Sequence, residues 1–152
     1  INPMNKYGDA ILVPLDYNNS YMCEYLLIDL YTNDGLNEMQ DSINNMYGTG
    51  FGVRIYHVSS SANKPYSDDY QSYTDNNNSS SDIPLIKLVE ADGDKNFRGG
   101  YAQASDLWVK GQMLSSVYGK YARNDGKFVN FDIIIHEVSS NEAVITIEYY
   151  DM

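Results

Sequence analysis

Hydrophobic and polar side chains alternate most regularly in the last third of the chain. Val129, Phe131, Ile133 and Ile135 alternate with Asn130, Asp132, Ile134 and His136, the two-residue period of a strand with one face on a core. After Ser139, Ser140, Asn141 and Glu142 the pattern resumes from Ala143 to Tyr150, with Ile145, Ile147 and Tyr149 on one side and Thr146, Glu148 and Tyr150 on the other. β-Branched and aromatic residues fill both arms and suit a pleated surface, so the two segments predict a β-hairpin.

Upstream, Phe51, Val53 and Ile55 alternate with Gly52, Arg54 and Tyr56, predicting a one-sided strand that ends near Val58. Ile11, Val13 and Leu15, followed by the turn-like Tyr17, Asn18, Asn19 and Ser20, suggest a hairpin with the segment 20–32. In that segment Cys23, Leu26, Leu27, Leu30 and Tyr31 also make a helical stripe; the hairpin is preferred. Ile83 to Glu90 lacks alternation and reads as a central strand covered on both faces. Pro84, with no N–H to donate, is restricted to its first position. Within 107–123, Gly111 and Gly119 read as bends or bulges in strands, and Asn124, Asp125 and Gly126 as a tight turn into the final hairpin. One helix is expected over 36–47, where Leu36, Met39, Ile43, Met46 and Tyr47 share a face, Asp34 caps the start and Gly48 stops it. The sum is an α+β, mostly β fold: an antiparallel, two-layer, sandwich-like arrangement with one short helix, forming a single domain over residues 1–152.

Residues 59–82 break this pattern. Their core, KPYSDDYQSYTDNNNSSSD, carries three tyrosines and no aliphatic side chain, too little apolar surface to offset ~1 to 2 kcal/mol of backbone ordering per residue. A connection this long inside a domain is usually functional or disordered, and the expectation is a flexible or partner-binding loop. Tyr66, Tyr70 and Tyr73, together with Tyr101, are the candidate partner contacts, because a tyrosine offers a rigid ring with a polar tip at low entropic cost. The chain holds 15 tyrosines, more than a core of this size absorbs.

Charge narrows the partners. A formal charge of -11 and a pI near 4.3 repel phosphate backbones, so nucleic acid is excluded as an expected ligand. No apolar run reaches the ~18 residues of a membrane-spanning helix. One cysteine, Cys23, excludes an intrachain disulfide and a multi-cysteine zinc site. Because residue 1 is Ile, a mature chain after signal removal is expected, and with it an extracellular or cell-surface location. The polar stretch Ile1 to Asp9 has no evident core role and is a candidate for pairing with a neighbouring subunit's strand edge.

Chemistry-bearing motifs are few. In EADGDKNFRGG, Asp92, Asp94 and Asn96 place oxygen ligands at alternate positions, as at the start of a calcium loop. Phe97 and Gln103 then stand where that loop needs Gly and a bidentate Glu, so calcium is a weak candidate and no other cofactor is expected. His57 and His136 lie near strand ends and read as surface or interface imidazoles; Cys23 reads as a buried thiol. There is no nucleophile elbow, phosphate loop or spaced zinc pair. The function expected is a non-catalytic, exported or surface-associated interaction or structural protein that binds protein or glycan, with self-assembly as a subtype. The alternative is an acidic immunity- or inhibitor-type protein that blocks a basic enzyme by charge complementarity.

Overall fold

The computed structural model describes residues 1–15, 24–35, 37–38, 50–59, 85–93, 102–115 and 121–151. They form two antiparallel sheets. One holds four strands in the order β1 (Ile11–Pro14), β2 (Glu24–Thr32), β3 (Phe51–Ser59) and β4 (Ile86–Leu88); the other holds β5 (Met113–Leu114), β6 (Phe131–Val138) and β7 (Ala143–Tyr149) in that order. A single four-residue helix, α1 (Met4–Tyr7), is the one α-helix whose ends are both described. The helix expected over 36–47 lies outside the described residues apart from Asn37 and Glu38, and the loop expected over 59–82 lies outside them apart from Ser59.

Period-two patterning decides which faces meet. Val13 on β1, Leu26, Ile28 and Leu30 on β2, and Val53 and Ile55 on β3 pack against Leu114, Phe131, Ile133 and Ile135 of the other sheet, with Val129 alongside. Ile28, Ile55 and Ile133 are wholly buried, and each such side chain contributes about 1.5–3 kcal/mol relative to exposure. The helical stripe in 24–32 yields to the hairpin because β1 and β3 flank β2 on both edges, from Ile11↔Ile28 to Pro14↔Tyr25 and from Glu24↔Ser59 to Thr32↔Phe51. The outer face of the four-stranded sheet is covered too: Tyr31, Tyr56 and Leu88 pack against Ala102 and Leu107.

The final hairpin forms as the alternation requires. Its turn closes with Ser139 N–H donating to the Glu142 carbonyl at 2.9 Å, while the Ser139 hydroxyl oxygen accepts the N–H groups of Asn141 and Glu142. The register shifts between Ile135 and Glu137, leaving His136 as the extra residue of a bulge. The turn at Asn124, Asp125 and Gly126 is also present, with Gly126 at φ +83° and its N–H donating to the Arg123 carbonyl at 3.0 Å.

Four expectations change. Residues 86–88 are an edge strand rather than a central one: Ile86 is 47% exposed and Lys87 is exposed, and the missing alternation reflects a short strand that leaves the sheet at Val89. The described residues of segment 107–123 are mostly not strand. Trp108 exchanges both backbone hydrogen bonds with Val53 as an isolated bridge, Gly111 at φ +85° follows in a turn, and Gly111 and Gln112 then pair with Ile135, so the chain passes from one sheet to the other. Asp132 is buried on the face assigned to solvent, because the Tyr150 hydroxyl folds over and donates to it. The N-terminal stretch is pinned to its own molecule: Ile1 pairs with Ala143 of β7, Pro3 bridges Leu30 of β2, and Asn5 and Lys6 bind Asp34.

Candidate functional site

A cavity of about 590 Å³ opens on the flank where β4 and β5 are the sheet edges. One wall is Lys87, Leu88, Val89 and the turn 90–93; the other is Gln112, Met113, Leu114 and Ser115. Trp108 forms part of the lining. Its indole N–H donates to the Val89 carbonyl at 2.8 Å, and its backbone is locked to Val53, so this wall is rigid where the connection changes sheets. Apolar walls with a few polar groups at the rim are the usual make-up of a ligand or partner cleft.

Glu90 and Asp92 line the cavity, and the buried Asp106 beside them brings a carboxylate oxygen within 4.8 Å of theirs. Local backbone geometry holds them. Gly93, at φ +72°, closes a turn on the Glu90 carbonyl, and the Ala91 N–H donates to the Asp106 carbonyl. Asp106 also accepts the Gln103 N–H in a reciprocal capping box. Of the calcium residues expected from the sequence, Asp92 is exposed on this turn, while Asp94 and Asn96 lie outside the described residues. Glu90, two residues before Asp92, extends the same alternate spacing of oxygen ligands and was passed over; Asp106 lies far along the chain and joins them only through the fold. Three oxygen donors suit a hard cation but fall short of the six to eight that calcium takes; equally they suit an ammonium or guanidinium group.

Behind the cleft lies a polar network. Glu24 of β2, His57 and Ser59 of β3 all face the other sheet at one end of the sandwich. His57 Nε2 lies 2.8 Å from Glu24 Oε1, and its Nδ1 lies 2.7 Å from the Tyr121 hydroxyl. A neutral imidazole protonated on Nε2 donates to Glu24 and accepts the Tyr121 O–H. Asn124 completes the set, its backbone N–H donating to Glu24 Oε1 at 2.7 Å and its side-chain amide to the Ser59 hydroxyl. Burial alone raises the Glu24 pKa, but the hydrogen bonds from His57 and Asn124, with the charge of Arg123, outweigh it and hold the carboxyl below its usual value. Burial, aided by the Glu24 charge, pushes the Tyr121 phenol well above its ordinary value.

No family model, curated protein or solved structure matches the chain.

His57 is buried, not the surface imidazole the sequence suggested, because it continues the inward parity of Val53 and Ile55. That parity was the signal available. His136 is exposed, its Nε2 2.8 Å from the Thr146 hydroxyl. Tyr66, Tyr70, Tyr73 and Tyr101 all lie outside the described residues, as does Cys23. Among the described residues no helix is long and apolar enough to cross a membrane.

Proposed function

We infer that the chain is a non-catalytic interaction module that receives a partner protein in the cleft between β4 and β5. The observation that carries this reading is the division of labour at the cleft. Its chemistry-bearing group is turned inward: the Tyr121 hydroxyl binds His57, whose other nitrogen binds Glu24. The groups turned outward are Met113, 38% exposed, and the acidic turn with Asp92. His57 is 6% exposed, with both nitrogens engaged inside the protein, whereas a cleft with an apolar wall and acidic groups beside it supports docking of an apolar side chain beside a cationic one.

The carboxylates of Glu90, Asp92 and Asp106 together with the charge of -11 favour a cationic partner, which brings in the second reading, an acidic inhibitor of a basic enzyme. Partner capture by the immobilised protein, compared with Asp92→Asn and Met113→Ser, tests both. On the interaction reading both variants lower retention with unfolding temperature unchanged. A strongly salt-weakened complex lost chiefly with Asp92→Asn favours the inhibitor. Retention indifferent to both substitutions overturns the cleft as the docking site.

A further inference from the structure

Among the described residues, every basic side chain but one pairs with a carboxylate. Lys6 pairs with Asp34, Arg54 with Asp29, Lys110 with Glu137, and Arg123 and Lys127 with Asp125. The exception is Lys87, whose ammonium has no carboxylate partner among the described residues although the chain carries 21 Asp and Glu side chains. Its place in the sheet gives the reason. Lys87 stands directly opposite His57 across β4 and β3, and residues so paired share a face, so both are directed toward the other sheet. His57 is buried; Lys87 is exposed in the cavity wall. A cation therefore stands at the end of the cleft where the Tyr121 hydroxyl binds His57.

The neighbours of Lys87 state what fits. Val89, two residues on and so on the same face, packs with Trp108 and Leu114, and all three line the cavity. Cation and apolar wall thus lie side by side, about 6–7 Å apart along the chain. The charge of -11 disfavours a multiply charged anion such as phosphate, which leaves a carboxylate. Neighbouring side chains of an extended segment point to opposite sides, so an internal acid could share this wall with an apolar residue only if the chain ran on past Lys87. That end is crossed by the segment 121–124, which is joined to both walls: Tyr121 N–H donates to the Ser115 carbonyl at 3.1 Å, and the Asn124 amide to the Ser59 hydroxyl. A C-terminal residue meets both demands, because its carboxylate and its side chain spring from one α-carbon and the chain ends there.

We propose that the cleft recognises the C-terminus of its partner protein, with the terminal carboxylate on the Lys87 ammonium and an apolar last side chain against Val89, Trp108 and Leu114. The inference rests on the cleft reading above and narrows it from a surface to a chain end. The cationic side chain of that reading belongs to the residues before the last, since the turn 90–93 continues the same wall away from Lys87.

The test is fluorescence anisotropy with the N-terminally labelled peptide Gly-Ser-Arg-Ser-Leu as the free acid and as the C-terminal amide. The acid is expected to bind about fivefold or more tightly than the amide. Lys87→Gln should abolish that difference and Lys87→Arg keep it, both variants unfolding at the parent temperature because no ion pair is broken. Serine in place of the last Leu weakens binding to parent and variants alike. An amidated peptide with an internal acid, Gly-Ser-Arg-Ser-Leu-Ser-Asp, is expected to bind no better than the amide; parity with the free acid overturns the proposal. Equal binding of acid and amide, or no binding at millimolar peptide, overturns it too. If acid and amide bind alike yet Met113→Ser weakens both, the cleft still receives a partner and only recognition of the chain end fails. A preference for the acid that ignores both Met113→Ser and the loss of the last Leu places the carboxylate outside the cleft, and the two readings fall together.

Discussion

Arg54 lies flat against Asp29 from the directly opposite position across β2 and β3, its Nε donating to Oδ1 at 2.8 Å and its Nη2 to Oδ2 at 2.5 Å. The guanidinium also sits over two rings, 5.0 Å from the centroid of Tyr31 and 5.6 Å from that of Tyr56. Asp29 is 3% exposed. The pair anchors the outer face of the four-stranded sheet, where Leu107 and Ala102 cover the rings, and so fixes the segment that leads to the cleft wall at Trp108.

Removing one partner of a buried pair strands the other charge, so Arg54→Ala is expected to destabilise the fold by about 3 kcal/mol. Arg54→Lys keeps the charge but loses the two-pronged geometry and the ring stacking, and falls between the two. Urea denaturation followed by fluorescence of the single Trp108 measures both. Equal stability of Arg54→Ala and the parent would show the pair to be idle.

Tyr121→Phe deletes a hydroxyl that donates to His57 Nδ1 and changes little else. The cost expected is that of an unsatisfied buried acceptor, about 1–3 kcal/mol, read as a drop of roughly 2–4 °C in unfolding temperature per kcal/mol. Since Tyr121 also lines the cleft, partner capture by this variant at a temperature where it is folded separates the two roles: a structural hydroxyl leaves capture unchanged.

Acid should weaken the fold through carboxylates held below their ordinary values, among them Asp34 and Glu24. Hydrogen bonds from Lys6, Thr32 and Asn5 hold the Asp34 carboxyl down to about 2, against 3.8 when unperturbed, and Glu24 is likewise lowered from 4.5. A carboxyl whose folded pKa is depressed contributes in full above its unfolded value and loses that contribution as pH falls through the folded one. Stability is therefore expected to decline below pH 4.5, the unperturbed Glu24 value, and to go on falling toward about 2, where the folded Asp34 titrates. Asp34→Asn should flatten the lower part of that decline and Glu24→Gln the upper part. Denaturant midpoints across the range decide it, and slopes unchanged in both variants would remove these groups as the source.

The strands that carry the core were legible because alternation is a local property: Phe131, Ile133 and Ile135 announce a buried face without knowledge of the other sheet, and all three are buried. The paired hairpins followed from the same signal. What was not legible depends on residues far apart in sequence. Nothing near His57 announces Glu24, 33 residues away, or Tyr121, 64 residues away. Asp132 could be placed inside only by knowing that Tyr150 covers it. The edge position of 86–88 escaped notice because lack of alternation marks a doubly covered strand and a strand too short to alternate in the same way. Of the cleft, one acid, Asp92, was found, and Glu90 stands two residues before it; Asp106 and the Trp108 wall are brought to them only by the fold.

Gly52 illustrates how tightly that connection is held. It lies on β3 opposite Tyr31, and a β-carbon built there would stand 2.6 Å from Cβ of Leu107 and 3.2 Å from its Cδ1. The first distance is too short for two non-bonded carbons, and the neighbour concerned is fixed to the backbone rather than at the end of a flexible side chain. Gly52→Ala is therefore expected to push the 102–108 segment off the sheet at a cost of about 1–3 kcal/mol. Leu107→Ala in the same chain removes Cγ and Cδ but retains Cβ, so it should fail to rescue; Leu107→Gly should relieve the overlap, at the expense of the packing that Leu107 gives Tyr31. Denaturation midpoints of the single and double variants read the coupling. Rescue of Gly52→Ala by Leu107→Ala would show that the close approach of β-carbons is not what excludes a side chain at position 52.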